Sequence, residues 1–255
     1  MRAMRTLRLV LVATLGVACL GAGDPVGPLA AGGHHVLFVG NSLTYTNDLP
    51  RTLRDLATAS GDTIRTAAVA LPNFALVDHA AGQSDALPAI GRERWEWVVM
   101  QQGPSSRGVN RDTLVIGAQA LARSIRAAGA RPALYMVWPA RANLADFDGV
   151  RDSYRAAACA VDGAFLPAGE AWRAAWRTDA TLALYGPDDF HPGPLGTWLA
   201  ALVMYERITG KDARALPAVV LVAGQRVNVP AETARLLQRA AHESNQAALA
   251  QRCDS

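Results

Sequence analysis

Cysteine is scarce in this sequence, three residues in 255, which excludes a small scaffold stapled by disulfides. Charge is scarce too, at 18%, while 51% of the residues are hydrophobic, a balance that excludes intrinsic disorder. Lysine is nearly missing: Lys211 is the only one, and arginine supplies the other basic groups. No acid precedes Asp24, and the excess of base over acid sits in Arg2, Arg5 and Arg8. Without those three, the 25 basic residues shrink to the number of the 22 acids. An isoelectric point near 9.0 therefore gives no support to a nucleic-acid or anionic-membrane partner. Past the N-terminus no long hydrophobic run occurs, and Ala215 to Ala223 is far too short to span a bilayer.

What is present begins with a leader. Arg2 to Arg8 is a positive segment, and Leu9 to Leu20 is an apolar run of about 12 residues, the length a secretory signal uses. Small residues follow at Gly21, Ala22 and Gly23, so residues 1–23 are expected to be removed on export. The alternative is lipidation of Cys19, since Leu15-Gly16-Val17-Ala18-Cys19 loosely resembles a bacterial lipobox. That lipid would be the chain's only contact with a membrane. Cys159 and Cys253 then remain, and an even pair in an exported protein points to one disulfide; two free thiols are the alternative.

Residues 24–33 are rich in Gly, Pro and Ala and read as a tether, with a single domain expected over 34–255. Val36 to Val39 is a continuous apolar run, the pattern of a strand buried on both faces of a parallel sheet. Similar runs recur at Thr63 to Val69, Trp97 to Met100, Ala133 to Val137 and, more weakly, Ala164 to Leu166. Helical spacing lies between them: Leu49, Leu53 and Leu56; Leu114, Ala118, Leu121 and Ile125; Val150 to Val161; Thr197 to Ile208, closed by Gly210. A terminal helix is expected over Glu232 to Gln251 after Pro230. Alternation of strand and helix makes the fold class α/β with a mostly parallel sheet and right-handed crossovers.

In such sheets the loops after the strands carry the chemistry. The first is Gly40-Asn41-Ser42-Leu43, where a serine at a helix start would present its hydroxyl at the sheet edge. By itself this is also an ordinary turn and N-cap. A second feature accompanies it: Tyr185-Gly186-Pro187-Asp188-Asp189-Phe190-His191-Pro192. An Asp three residues before a His, on a loop stiffened by two prolines, can hold one imidazole nitrogen and leave the other for a serine. His34, His35, His79 and His242 read as satisfied surface histidines, with His79 to Pro88 a possible cleft rim. Trp138, at the end of the Ala133 run, is expected to line the cleft, whereas Trp172 and Trp176 read as packing residues.

Together these blocks resemble the SGNH hydrolases, also called the GDSL esterase/lipase superfamily. Val36 to Leu43 is similar to the family's first block, with Asn41 in place of the usual Asp, and Asp188 to Pro192 to its final Asp-x-x-His block. The likeness extends from Val36 to Gly210. It implies a three-layer α/β/α sandwich on five parallel strands and ester hydrolysis by Ser42, with His191 as base and Asp188 orienting it. It also implies an oxyanion hole made by the Ser42 N–H, a backbone N–H from a second block and a side-chain amide from a third. The second block falls in Ala70 to Ala75, which has no glycine; Asn73 is the candidate, because Asn tolerates positive φ. For the third, Gln101 is preferred because it directly follows the strand, with Gln102 as second choice.

No cofactor is implied. Zinc would need three convergent ligands, and His191 with Asp188 and one remote histidine falls short. The expected partner is a small-molecule or polysaccharide ester, processed by a monomer in the periplasm, outside the cell or on its envelope. Short acyl groups on carbohydrate are the favoured substrate. A lipase, thioesterase or acyltransferase using the same site, and a non-catalytic carbohydrate-binding relative, are the competing readings.

Overall fold

The computed structural model describes residues 33–251 and residue 253. The leader, Cys19 and the tether up to residue 32 lie outside the described residues. Five strands form one parallel sheet: β1 (His34–Gly40), β2 (Ile64–Ala70), β3 (Trp97–Met100), β4 (Arg131–Tyr135) and β5 (Ala164–Leu166), in the order β2-β1-β3-β4-β5. Val36 to Val39 of β1 are fully buried, as expected for a strand with neighbours on both sides and helices on both faces. The strand expected at Ala133–Val137 instead occupies Arg131–Tyr135. β5 is only three residues long, so the ladder runs out and Met136 to Pro139 continue as buried, irregular chain.

The helices are α1 (Ser42–Tyr45), α2 (Leu49–Ala59), α3 (Leu76–Ala80), α4 (Ala86–Arg92), α5 (Gly108–Ala127), α6 (Phe147–Ala160), α7 (Ala168–Thr178), α8 (Pro194–Thr209) and α9 (Ala231–Ala250). α3, α4, α5 and α6 pack as one layer, and α2, α7, α8 and α9 as the other. The chain thus leaves β1 toward one edge, returns from β2 to β3 and proceeds to the opposite edge. This reversal opens a crevice beyond the carboxyl ends of β1 and β3, where ligands bind in open α/β sheets. A hairpin absent from the sequence reading, β6 (Val220–Val222) with β7 (Gln225–Val227), packs on α2 and α8.

α8 is apolar around its whole circumference because α2, α7, α9 and β6 all contact it. Its first turn fits only glycine at position 196, since a Cβ there would lie 2.3 Å from both the Leu184 carbonyl oxygen and the Trp172 ring. Cys159, at the end of α6, is disulfide-bonded to Cys253 beyond α9, closing a loop over 94 positions. No helix among the described residues is long and apolar enough to cross a membrane. Replacing Gly196 by alanine should overpack this junction and cost about 1–3 kcal/mol of stability, measurable as a lower urea midpoint at unchanged slope.

Candidate active site

Ser42 opens α1 directly after β1. As the first helical residue, its N–H has no carbonyl to bond within the helix and is left for a ligand. Asn41 is the N-cap: its Oδ1 accepts from the Leu43 N–H at 3.1 Å, and its Nδ2 donates to the Phe74 carbonyl at 3.0 Å. The second bond explains asparagine here, because an ionised aspartate has no proton to donate to that carbonyl. Gly40 is required by close approach: a Cβ would sit 2.5 Å from Gln101 Oε1 and 2.6 Å from Thr44 Oγ1.

Gln101 is where the structure departs from the sequence reading. It is 0% exposed, and it does not line the cavity described below. Its Oε1 accepts from the Asn41 N–H (3.0 Å) and Thr44 Oγ1 (2.7 Å), while its Nε2 donates to Asn41 Oδ1 (2.9 Å) and the Gln102 carbonyl (2.6 Å). Both amide protons are therefore spent inside the fold. Gln102 turns the other way and does line the cavity, but its amide is engaged too: Nε2 donates to Ser105 Oγ (2.9 Å) and the Asn110 carbonyl (3.3 Å), and Oε1 accepts the Leu76 N–H (3.0 Å). The phenol of Tyr154 fixes that peptide by accepting from the Gln102 N–H at 3.1 Å.

The histidine loop is closed by the Gly186 N–H donating to the His191 carbonyl at 2.8 Å and by a bridge between Tyr185 and Pro192. Within it, Asp188 Oδ2 lies 2.5 Å from His191 Nδ1, and Oδ1 accepts the backbone N–H groups of His191 (2.9 Å) and Phe190 (3.2 Å). The hydrogen bond from His191 lowers the Asp188 carboxyl to about 2; burial opposes it, and the two backbone N–H groups add to the lowering. Among the described residues His191 Nε2 has no hydrogen-bond partner.

Three contacts anchor the loop. Arg141 pairs with Asp189 Oδ1 at 2.6 Å, the Tyr185 hydroxyl donates to the Pro139 carbonyl at 2.5 Å, and Asn47 Nδ2 donates to the Pro192 carbonyl at 2.7 Å. The last contact joins the segment after Ser42 to the residue after His191. Asn47 was not singled out in the sequence, which carries no signal for it.

Trp138 does not line the cleft. It is 0% exposed, stacks on Trp172 at 3.5 Å between ring centroids, and donates its indole N–H to the Phe190 carbonyl at 3.0 Å. Its position beyond the end of β4 brings it under the loop, where α7 supplies the facing ring. His79 is likewise neither a surface nor a rim residue but fully buried, and burial lowers its pKa. His34 and His242 are each paired with a glutamate.

Ser42, Asn73, Phe74, Gln102, Ser105 and Phe190 share one cavity of about 300 Å³ at the β1/β3 crevice. Asn73 adopts φ +61°, the left-handed conformation expected of it. Phe190, adjacent to His191, also borders a second cavity of about 380 Å³ lined by Ser106, Arg107, Asn143 and Asp146. A larger cavity of about 510 Å³, bounded by Arg155, Glu170 and Glu243, contains none of these residues. The chemistry follows the convergent polar groups rather than the volume. Glu206, Asp212 and His242 form a cluster of metal-ligand type away from this cavity, but its oxygens are already engaged. Glu206 Oε2 accepts the Ala213 N–H at 2.9 Å, and both Asp212 oxygens accept from Arg214.

No family model and no curated protein matches the chain. Solved structures do. A DUF4886 family protein from Bacteroides uniformis superposes with a TM-score of 0.70 at 19% identity, over 82% of this chain and 93% of its own. A protein assigned to the SGNH hydrolases, from Slackia heliotrinireducens, is 28% identical with a TM-score of 0.56, over 68% and 98%. The psychrotrophic esterase EstA from Pseudoalteromonas sp., in a structure inhibited by monoethylphosphonate, gives 0.54 at 18% identity, over 69% and 97%.

Replacing Gln101 by leucine would leave the Asn41 N–H and the Thr44 hydroxyl without their buried partner. Each orphaned group costs about 1–3 kcal/mol, so the variant should lose stability on that scale in urea denaturation. Trp138→Phe keeps the stacked ring but loses the bond to Phe190, and it should destabilise by less.

Proposed function

We propose that this chain, which has the fold of the SGNH hydrolase superfamily, is a serine ester hydrolase in which Ser42, His191 and Asp188 act together. The observation that carries the reading is the Asp188–His191 pair at 2.5 Å, with Nε2 left open on a loop that shares the Ser42 cavity. Asp188 holds Nδ1 protonated, so Nε2 is the basic nitrogen. His191 takes the Ser42 proton as Oγ attacks the ester carbonyl, and Asp188 stabilises the imidazolium that forms. The tetrahedral oxyanion is met by the N–H groups of Ser42 and Asn73; a third, side-chain donor would be Gln102, whose amide would have to give up its bond to Ser105 or to Asn110. Collapse expels the alcohol, protonated by His191, and water activated by the same histidine releases the acid.

The 300 Å³ cavity beside Ser42 favours a small acyl group, as on an acetylated carbohydrate, with the alcohol reaching toward the adjoining cavity across Phe190. The basic and apolar leader, together with a disulfide of the kind that persists in oxidising compartments, supports export.

With p-nitrophenyl acetate as substrate, Ser42→Ala should abolish turnover and Asp188→Asn should lower kcat by about 10³–10⁴-fold. Equal rates in Ser42→Ala and parent would sink the assignment, and faster hydrolysis of the octanoate ester would move the substrate class to lipids. A pH profile supplies a second check. The Asp188 carboxyl, lowered to about 2, stays ionised at all higher pH. Asp188 should therefore lose its charge, and with it the hold on His191 Nδ1, only on acidification to about pH 2, so activity lost well above that pH is not due to Asp188.

A further inference from the structure

His79 is the one histidine in the fold that is 0% exposed while both ring nitrogens are engaged. Nε2 lies 2.9 Å from the Gly40 carbonyl oxygen, which can only accept, so Nε2 carries the proton. Nδ1 then accepts from the Ser84 hydroxyl at 2.7 Å, and that hydroxyl oxygen in turn takes the Ala86 N–H at 3.2 Å. One tautomer satisfies every group. Burial favours the neutral ring. The charged neighbour that opposes this is Asp78 on the same helix, whose carboxylate already accepts the Ala75 N–H at 2.8 Å. The remaining groups in contact with the ring, Phe74, Ser84 and the Gly40 carbonyl, are uncharged.

The ring touches both sides of the crevice. Gly40 is two residues before Ser42. Phe74, whose ring centroid is 5.1 Å from that of His79, directly follows Asn73, and its carbonyl accepts from Asn41 Nδ2. We infer that His79 is a positioning residue that sets the separation between the backbone N–H groups of Ser42 and Asn73, and so the width of the oxyanion site. This rests on the esterase reading for its consequence in catalysis, but the spacing itself does not. No motif marks it in the sequence, and the histidine reaches no substrate.

Two substitutions separate the donor from the bulk. His79→Gln keeps an N–H at the Nε2 position, whereas His79→Leu keeps volume and loses the donor. His79→Leu should lower kcat for p-nitrophenyl acetate by about 10–100-fold with KM within about twofold, and His79→Gln should recover most of it. In substrate-free protein, the ¹⁵N-detected amide shifts of Ser42 and Asn73 should both move in His79→Leu and stay near parent values in His79→Gln. The parent imidazole should show the Nε2–H tautomer at pH 8 in long-range ¹H–¹⁵N spectra.

A folded His79→Leu with unmoved amides overturns the inference, as does an equal loss in both variants or a parent His79 that carries its proton on Nδ1. If His79→Leu does not fold, His79→Asn, whose shorter amide cannot reach the Gly40 carbonyl, takes its place, and unmoved Ser42 and Asn73 amides in that variant overturn the inference equally. Hydrolysis surviving in Ser42→Ala would instead refute the esterase reading, while the amide shifts would still decide the role of His79.

Discussion

Ser42 depends on one buried carboxamide. Gln101 sits where β1 and β3 end side by side and makes four hydrogen bonds, three of them to Asn41 and Thr44. In water each partner would be solvated at no cost. In this buried gap the Asn41 N–H and the Thr44 hydroxyl would be orphaned, so the turn is costly to loosen. Gly40 supplies the space that the carboxamide occupies. The turn that carries Ser42 is thus held from below by buried side chains, while Ser42 itself lines the cavity.

The histidine loop is fixed by different physics. Its anchor is an aromatic stack, Trp138 on Trp172 with Tyr185 edge-on at 5.0 Å from Trp172, and two polar tips of that cluster reach loop backbone. Large flat rings have few rotamers, so they position Phe190 and Pro139 at small entropic cost. α8 follows the loop immediately and is buried on every side, which prevents the loop from drifting away from the sheet. Asn47 closes the circuit between the two halves, because it belongs to the serine segment and bonds the residue after His191. The Ser42 turn and the histidine loop are thus braced by different contacts and tied together through Asn47.

Much of this was legible in advance wherever the information is local. Apolar runs announce strands covered on both faces, and Asp188 and His191 are three residues apart on one loop, so their pairing needs no long-range contact. Asn73 at positive φ follows from the chemistry of asparagine. The hairpin escaped notice because its turn places Ala223 at φ +49°, where an asparagine or aspartate would have signalled it, and because its strands are too short for a period to show. Trp138 looked the same from sequence whether it faced solvent or a second tryptophan, and Trp172 is 34 positions away.

By itself the sequence determined the α/β alternation, the serine at the start of a helix after the first strand, and the Asp-x-x-His geometry. Each is set by backbone propensity and covalent spacing within a few residues. Only the tertiary structure decided which of two adjacent glutamines faces the cavity. Consecutive side chains after a strand point to opposite sides, and which side is the crevice depends on where β1, α3 and α6 lie. The same is true of His79 and Trp138, whose partners come from distant segments. Their roles are properties of the assembled crevice, not of any stretch of chain.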